Sequence, residues 1–249
     1  MFLQASVLVN AGFVALPVLL GSGFVLAGDW AGRRLGETPT TRRRWAIGTG
    51  LAVLLWLLVT AAAAASGVLR KFDVTPPPFA GLLLAIIILG IVVPFSPLGT
   101  RLIRGLPLAA LVGYQVFRFP LELLMHRAYV EGIMPVQMSY SGRNFDILTG
   151  ISAGLLGLTL MRFHVPRWVV QVWNVAGFAL LANIVTVALL SAPAFGWFGP
   201  DRLNVFVLYP PFVWLPSVMV LAALMGHVLV WRKLWLGDNE RRQESRTTS

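Results

Sequence analysis

Apolar residues fall in seven long runs along this chain, at about 5–27, 45–67, 78–95, 106–128, 145–163, 168–190 and 204–231. Each run is near the ~20 residues that an α-helix needs to cross a ~30 Å hydrocarbon layer. The polar connections between them are short. The pattern predicts an all-α fold, a polytopic transmembrane helical bundle of about seven spans. Residues 1–236 form a single transmembrane domain. Residues 237–249 are charged and rich in Ser and Thr, so a disordered cytoplasmic tail is expected there. The connection from His164 to Arg167 is tight enough to make the fifth and sixth spans antiparallel neighbours. Pro76, Pro77 and Pro78 mark a second connection, because such a run cannot extend a helix.

Composition agrees with a membrane solvent. The 249 residues are 57% hydrophobic and only 12% charged, against about 25% charged in soluble domains. Cysteine is absent, which excludes disulfides and thiolate metal sites. The first six residues carry no charge and the basic cluster follows the first apolar run. That is the reverse of a signal peptide, so the first run reads as a retained span.

The net charge of +10 could suggest nucleic acid, but its distribution points elsewhere. With the N-terminus outside and the C-terminus inside, fourteen of the Lys and Arg residues face inward and five outward, leaving Arg118 within a span. That is the positive-inside signature, and it reports topology rather than nucleic-acid binding. Trp30, Trp45, Trp168, Trp231 and Trp235 fall at inner span ends, where an aromatic belt belongs. Lysine is reduced to Lys71 and Lys233, an arginine bias that fits a bacterial source. The expected location is the inner (plasma) membrane, with the lipid bilayer as the first partner.

The fourth span carries the chemistry. Arg118, Glu122 and His126 are spaced four apart and form one stripe on a helix, with Pro120 between the first two. A charge at the bilayer centre costs roughly 2.5–3.5 kcal/mol on translocon scales. Arg118 and Glu122 are therefore expected to face the interior and to pair with each other. Asp146, Asn183 and Tyr209 fall at similar depth and complete a set of ligand- or ion-binding residues in the outer half. The plainer expectation for Asp146 is helix capping, and for Asn183 a hydrogen bond between helices. Gln171, Asn174 and His227 are placed nearer the inner face, in a different layer. The loop 128–145 mixes polar residues with Ile133, Met134 and Val136, and is expected to fold back over the fourth span.

Several functions are excluded or disfavoured. Retinal binding requires a lysine midway along the last span, and Lys233 stands at its end. The small three-plus-one-plus-three sugar exporters carry Pro-Gln pairs, which are missing here. A b-type haem needs two axial histidines at one depth. His126 is outer and His227 inner, and His164, near the inner face with His227, lies between Arg162 and Arg167 and reads as interfacial. Glu122, His126 and Asp146 are a weak metal triad, and no metal is assigned. The sequence specifies no cofactor. Three classes remain open. One is a transporter or permease for a small solute, linked to protons. Another is a non-catalytic subunit or assembly factor that binds a membrane-protein partner. The third is a membrane-embedded enzyme acting on a lipid-linked substrate.

Overall fold

The computed structural model describes residues 5–247, with side chains to residue 237. The described residues are helical with no strand. Nine α-helices follow in order: α1 (Val7–Arg34), α2 (Pro39–Ala65), α3 (Pro78–Phe95), α4 (Pro97–Gly105), α5 (Leu108–Gly113), α6 (Arg118–Val130), α7 (Ile147–Arg162), α8 (Arg167–Leu190) and α9 (Leu221–Thr247). The expected disordered tail falls largely on residues whose side chains lie outside the described set.

Six segments are long and apolar enough to cross a membrane: α1, α2, α3, Leu108–Val130, α8 and Leu215–Gly237. The run expected at 145–163 is α7, which has 16 residues. At 1.5 Å per residue it is about 24 Å long, short of a full hydrocarbon layer.

Burial separates a central pair from the periphery. Over its apolar window, Leu215–Gly237 is 56% buried and Leu108–Val130 is 44% buried, whereas α2 is only 6% buried. The two central segments are also the two that depart from straight α-helix. Between α5 and α6 the backbone tightens into a 3₁₀ turn over Tyr114–Phe117. Pro120 explains it: the residue has no N–H to give the carbonyl of Val116, so the ladder must be remade locally. A π-helical turn over Leu215–Val220 precedes α9 and contains Pro216.

The last expected span, 204–231, therefore begins differently. Residues 204–213 are not α-helical, and Pro210 and Pro211 prevent it. Phe206, Val207, Leu208, Phe212 and Val213 are nevertheless buried. Irregular backbone is tolerated at such depth where protein covers it. Phe212 packs edge-on to Phe13 of α1 at 5.0 Å and to Phe206 at 5.6 Å. Backbone bonds close the segment, among them Asn204 N–H to Ser191 C=O at 2.7 Å and Val213 N–H to Tyr209 C=O at 3.0 Å.

Polar contacts tie both ends of the bundle. At one end Ser6 gives its N–H and hydroxyl to Glu131, at 2.8 and 2.7 Å, and Arg127 joins the same carboxylate at 2.7 Å. These donors hold the Glu131 carboxyl below the usual range, the Ser6 backbone N–H foremost. At the other end Arg101 of α4 clasps Glu37 through two nitrogens, both at 2.8 Å. This bond is the main reason that the Glu37 carboxyl is held below the usual carboxylate range.

Candidate functional site

Two glycines of α7 bring the site together. A Cβ at Gly150 would overlap the backbone nitrogen of Phe119, and one at Gly157 would stand 3.0 Å from the Cα of Gly113. Only glycine lets α7 lie this close to the bent Leu108–Val130 segment. The close approach sets Asp146, at the start of α7, beside Arg118, at the start of α6.

Arg118 is the centre of the cluster, 1% exposed. Its Nε donates to Asp146 Oδ2 at 2.5 Å, and its Nη2 donates to Asp146 Oδ1. This is the two-pronged pairing that a planar guanidinium favours. Its Nη1 lies 2.8 Å from His227 Nε2. Arginine has no acceptor, so the histidine nitrogen must accept. The ring proton then sits on Nδ1, which faces Asn174 Oδ1 at 2.8 Å. Asn174 returns a bond from Nδ2 to the carbonyl of His227 at 3.1 Å. One continuous chain thus runs from α7 through α6 and α9 to α8, and each link has a donor and an acceptor.

Glu122 stands one turn further along α6 and is also 1% exposed. It does not pair with Arg118. Both its oxygens lie 2.8 Å from Nδ2 of Asn144. The same nitrogen is 3.0 Å from the carbonyl of Met138. An amide nitrogen has two hydrogens, and here three oxygens face it. Asp146 already satisfies Arg118, so Glu122 is the acid of the cluster without a cation. Asn144 is held in place by the Asp146 N–H, which reaches its Oδ1 at 3.1 Å. The loop before α7 does fold back onto the bundle, as expected. Gln137 anchors it further, giving its amide hydrogens to Ser191 Oγ at 3.0 Å and to the carbonyl of Arg202 at 2.7 Å.

A cavity of about 380 Å³ borders the cluster. Arg118, Glu122, Asn144 and Asp146 lie on one wall, and the rest is almost wholly apolar, from α3, α8 and the π turn before α9. Several α3 residues that line it, such as Ile87 and Ile91, are about half exposed on the protein surface. The cavity therefore reaches the exposed face of α3.

Four expectations change. The expected Arg118–Glu122 pair is replaced by Arg118–Asp146, because a carboxylate on a neighbouring helix meets the guanidinium fork end-on. Asp146 does not cap α7 with its side chain. His126 leaves the stripe: its Nδ1 is 3.0 Å from Ser139 Oγ and 3.2 Å from Ser141 Oγ, and its ring stacks on Tyr140 at 4.4 Å. Asn174 and His227 do not belong to a separate inner layer: His227 contacts Arg118 directly, and Asn174 joins it through His227.

The remaining predicted residues lie outside the cluster. Asn183 is exposed and gives its amide to the carbonyl of Arg143 at 2.8 Å, a bond from helix to loop rather than between helices. Tyr209 lies under the guanidinium of Arg70, 4.5 Å from ring centre to Cζ. Among the described residues Glu122, His126 and Asp146 do not form a three-ligand metal group.

Sequence reasoning missed Gln115 and Asn144. Gln115 is fully buried and gives its amide to the carbonyl of Ala223 at 2.9 Å. No signal in the sequence marked them, because the glycines that make room for buried polar groups are matched to them only in the fold. A Cβ at Gly226 would lie 2.5 Å from Gln115 Nε2, and one at Gly177 would lie 2.7 Å from His227 Cε1.

No family model, curated protein or solved structure matches this chain. The geometry of the cluster therefore carries the functional reading.

Proposed function

We propose that this chain is a seven-span protein of a bacterial inner membrane, with the N-terminus outside, that acts as a proton-linked permease for a small amphipathic solute. The observation that carries it is Glu122, a buried acid without a cation on the wall of an apolar cavity. Intramembrane acids that line a cavity mark ion and substrate paths. A solute that fits is mostly hydrocarbon, with one cationic or hydrogen-donating group for Glu122. The carboxylate holds that group or holds a proton, and exchange between the two couples their movements. The chain through Arg118, Asp146, His227 and Asn174 has a different task. Its links are paired, which favours a structural role in holding α6, α7, α8 and α9 at fixed distances. If this were the whole task of the cluster, the protein would be a non-catalytic subunit.

The span count rests on α7. Its contacts at Gly150 and Gly157 run antiparallel to Phe119 and Gly113, so α7 follows the neighbouring span along its length. A short helix can still cross where the bilayer thins or flanking residues reach the interface. Reporter fusions test the topology. Fusions at Thr40 and Ser249 are expected to report inside, and one after Asp201 outside. A tail reporting outside would overturn the orientation and the seven-span count together.

The permease reading is tested in liposomes that contain the purified protein and an imposed pH gradient. The probe is a dansyl-labelled alkyl-trimethylammonium, whose fixed charge stops it following a pH gradient by itself. Wild-type protein is expected to drive its accumulation. Glu122→Gln is expected to reduce the rate about tenfold or more, the loss of one charge-assisted contact. Equal rates in wild type, Glu122→Gln and protein-free liposomes would leave only the structural role.

A further inference from the structure

A second cavity lies away from Glu122. It measures about 510 Å³ and is lined by α1, α2, α3, α4, α5 and α9 with almost no polar surface. Along α1 its lining runs from Leu20 to Trp30. Ten residues of helix cover about 15 Å, half of a ~30 Å hydrocarbon layer. The cavity is therefore one leaflet deep.

One end of it is basic. Arg101 sits at the level of this end, although its own side chain does not line the cavity. Its Nη1 lies against Gly28, one turn past the lining residue Phe24, at 3.4 Å from where a Cβ would be. Its Cζ lies 5.4 Å from the ring of Trp45, one turn before the lining residue Thr49. Leu98 and Leu102, on either side of it in α4, line the cavity themselves. Arg101 is 5% exposed, and two of its nitrogens are used by Glu37. Its third, Nη1, is buried without a hydrogen-bond partner. Arg42 is close by and its Nε also has none, with Asp29 at 3.8 Å. Arg33 holds Asp29 at 2.8 Å, and Arg34, Arg43 and Arg44 are near in sequence, so the basic residues of the α1–α2 turn outnumber Asp29 and Glu37.

A buried donor with no acceptor is costly unless a ligand supplies one. An apolar slot one leaflet deep, with arginines packed behind the wall at one end, matches a molecule with an acyl tail and an anionic head. We propose that this groove is a specific site for an anionic phospholipid of the leaflet that faces the α1–α2 turn. One acyl tail lies between α1, α2 and α9. The phosphate sits at the arginine end and takes up the unpaired donors of Arg101 and Arg42, which turn toward it as the lipid binds.

Native mass spectrometry of the purified full chain tests this, with phosphatidylglycerol, phosphatidylcholine and inorganic phosphate as the probes. Phosphatidylglycerol is expected to be retained in preference to phosphatidylcholine. Arg101→Gln is expected to lower its retention about tenfold, as for one charge-assisted hydrogen bond. Because Arg101→Gln leaves Glu37 unpaired and can unfold the protein, Arg42→Gln is measured beside it and is expected to act in the same direction. Ala52→Trp, which fills the groove and leaves the arginines intact, is expected to lower retention as well. Equal retention of both lipids, with no effect of Arg42→Gln, would overturn the proposal. Displacement of the lipid by millimolar inorganic phosphate would also overturn it, as would normal retention by Ala52→Trp, since either would reduce the site to a surface charge effect.

Discussion

Arg118→Leu and Asp146→Leu are each expected to destabilise the protein by about 3–5 kcal/mol, and the double variant by much less. Removing one member of a buried pair leaves the other charge uncompensated, whereas removing both leaves neither charge of the pair behind. Arg118 is more exposed to this penalty than most residues, because its loss also strips His227 Nε2 of its donor. Unfolding of the four proteins in detergent, followed by circular dichroism, gives the coupling energy directly. The same cycle on Arg118 and Glu122 serves as the comparison. Those two side chains share no hydrogen bond, since Glu122 is held by Asn144. Their effects are expected to be closer to additive. Strong coupling of Arg118 to Glu122, with none to Asp146, would show that the cluster is wired differently.

Gly150→Ala is expected to cost about 1–3 kcal/mol or more, the range for overpacking a tight contact. The added methyl would run into the backbone of Phe119 and Arg118. A side chain could swing aside, but a main chain can yield only if α6 and α7 move apart. That movement would also pull Asp146 from Arg118. Gly154→Ala is the matched control on the same helix. Its Cβ would meet only a side-chain methyl of Val116 at 3.3 Å. Replacing glycine by alanine within a helix gains roughly 0.5–1 kcal/mol, so this variant is expected to be near neutral or slightly more stable. A Gly150→Ala protein as stable as wild type would mean that the helices are not held this closely.

The depth errors made from sequence have one physical origin. His227 is placed near the inner face if 204–231 is a straight span. In the structure, regular helix in that segment begins only after Trp214, because Pro210, Pro211 and Pro216 bar it earlier. His227 then stands twelve residues into Leu215–Gly237 and at the level of Arg118. Pro120 was legible as a break in the fourth span, but its effect, a 3₁₀ turn rather than a kink in place, depended on how α7 and α9 pack around it. Partner choice was harder still. A stripe at four-residue spacing shows which side chains share a helix face, and on that basis Arg118 and Glu122 belonged together. The guanidinium instead took the carboxylate that could meet both its nitrogens at once, and that carboxylate is 28 residues away in the chain.

Sequence alone therefore determined the class of the fold, helical with apolar runs long enough to cross a membrane. It depends on sums over many residues, the length and polarity of each run, and such sums survive local irregularity. The tertiary structure alone decided which polar groups meet. That outcome depends on helix rotation, on breaks at individual prolines and on whether a single glycine lets two backbones touch. A hydrogen bond is made or lost within about half an ångström, a distance that no count of residues along a span can resolve.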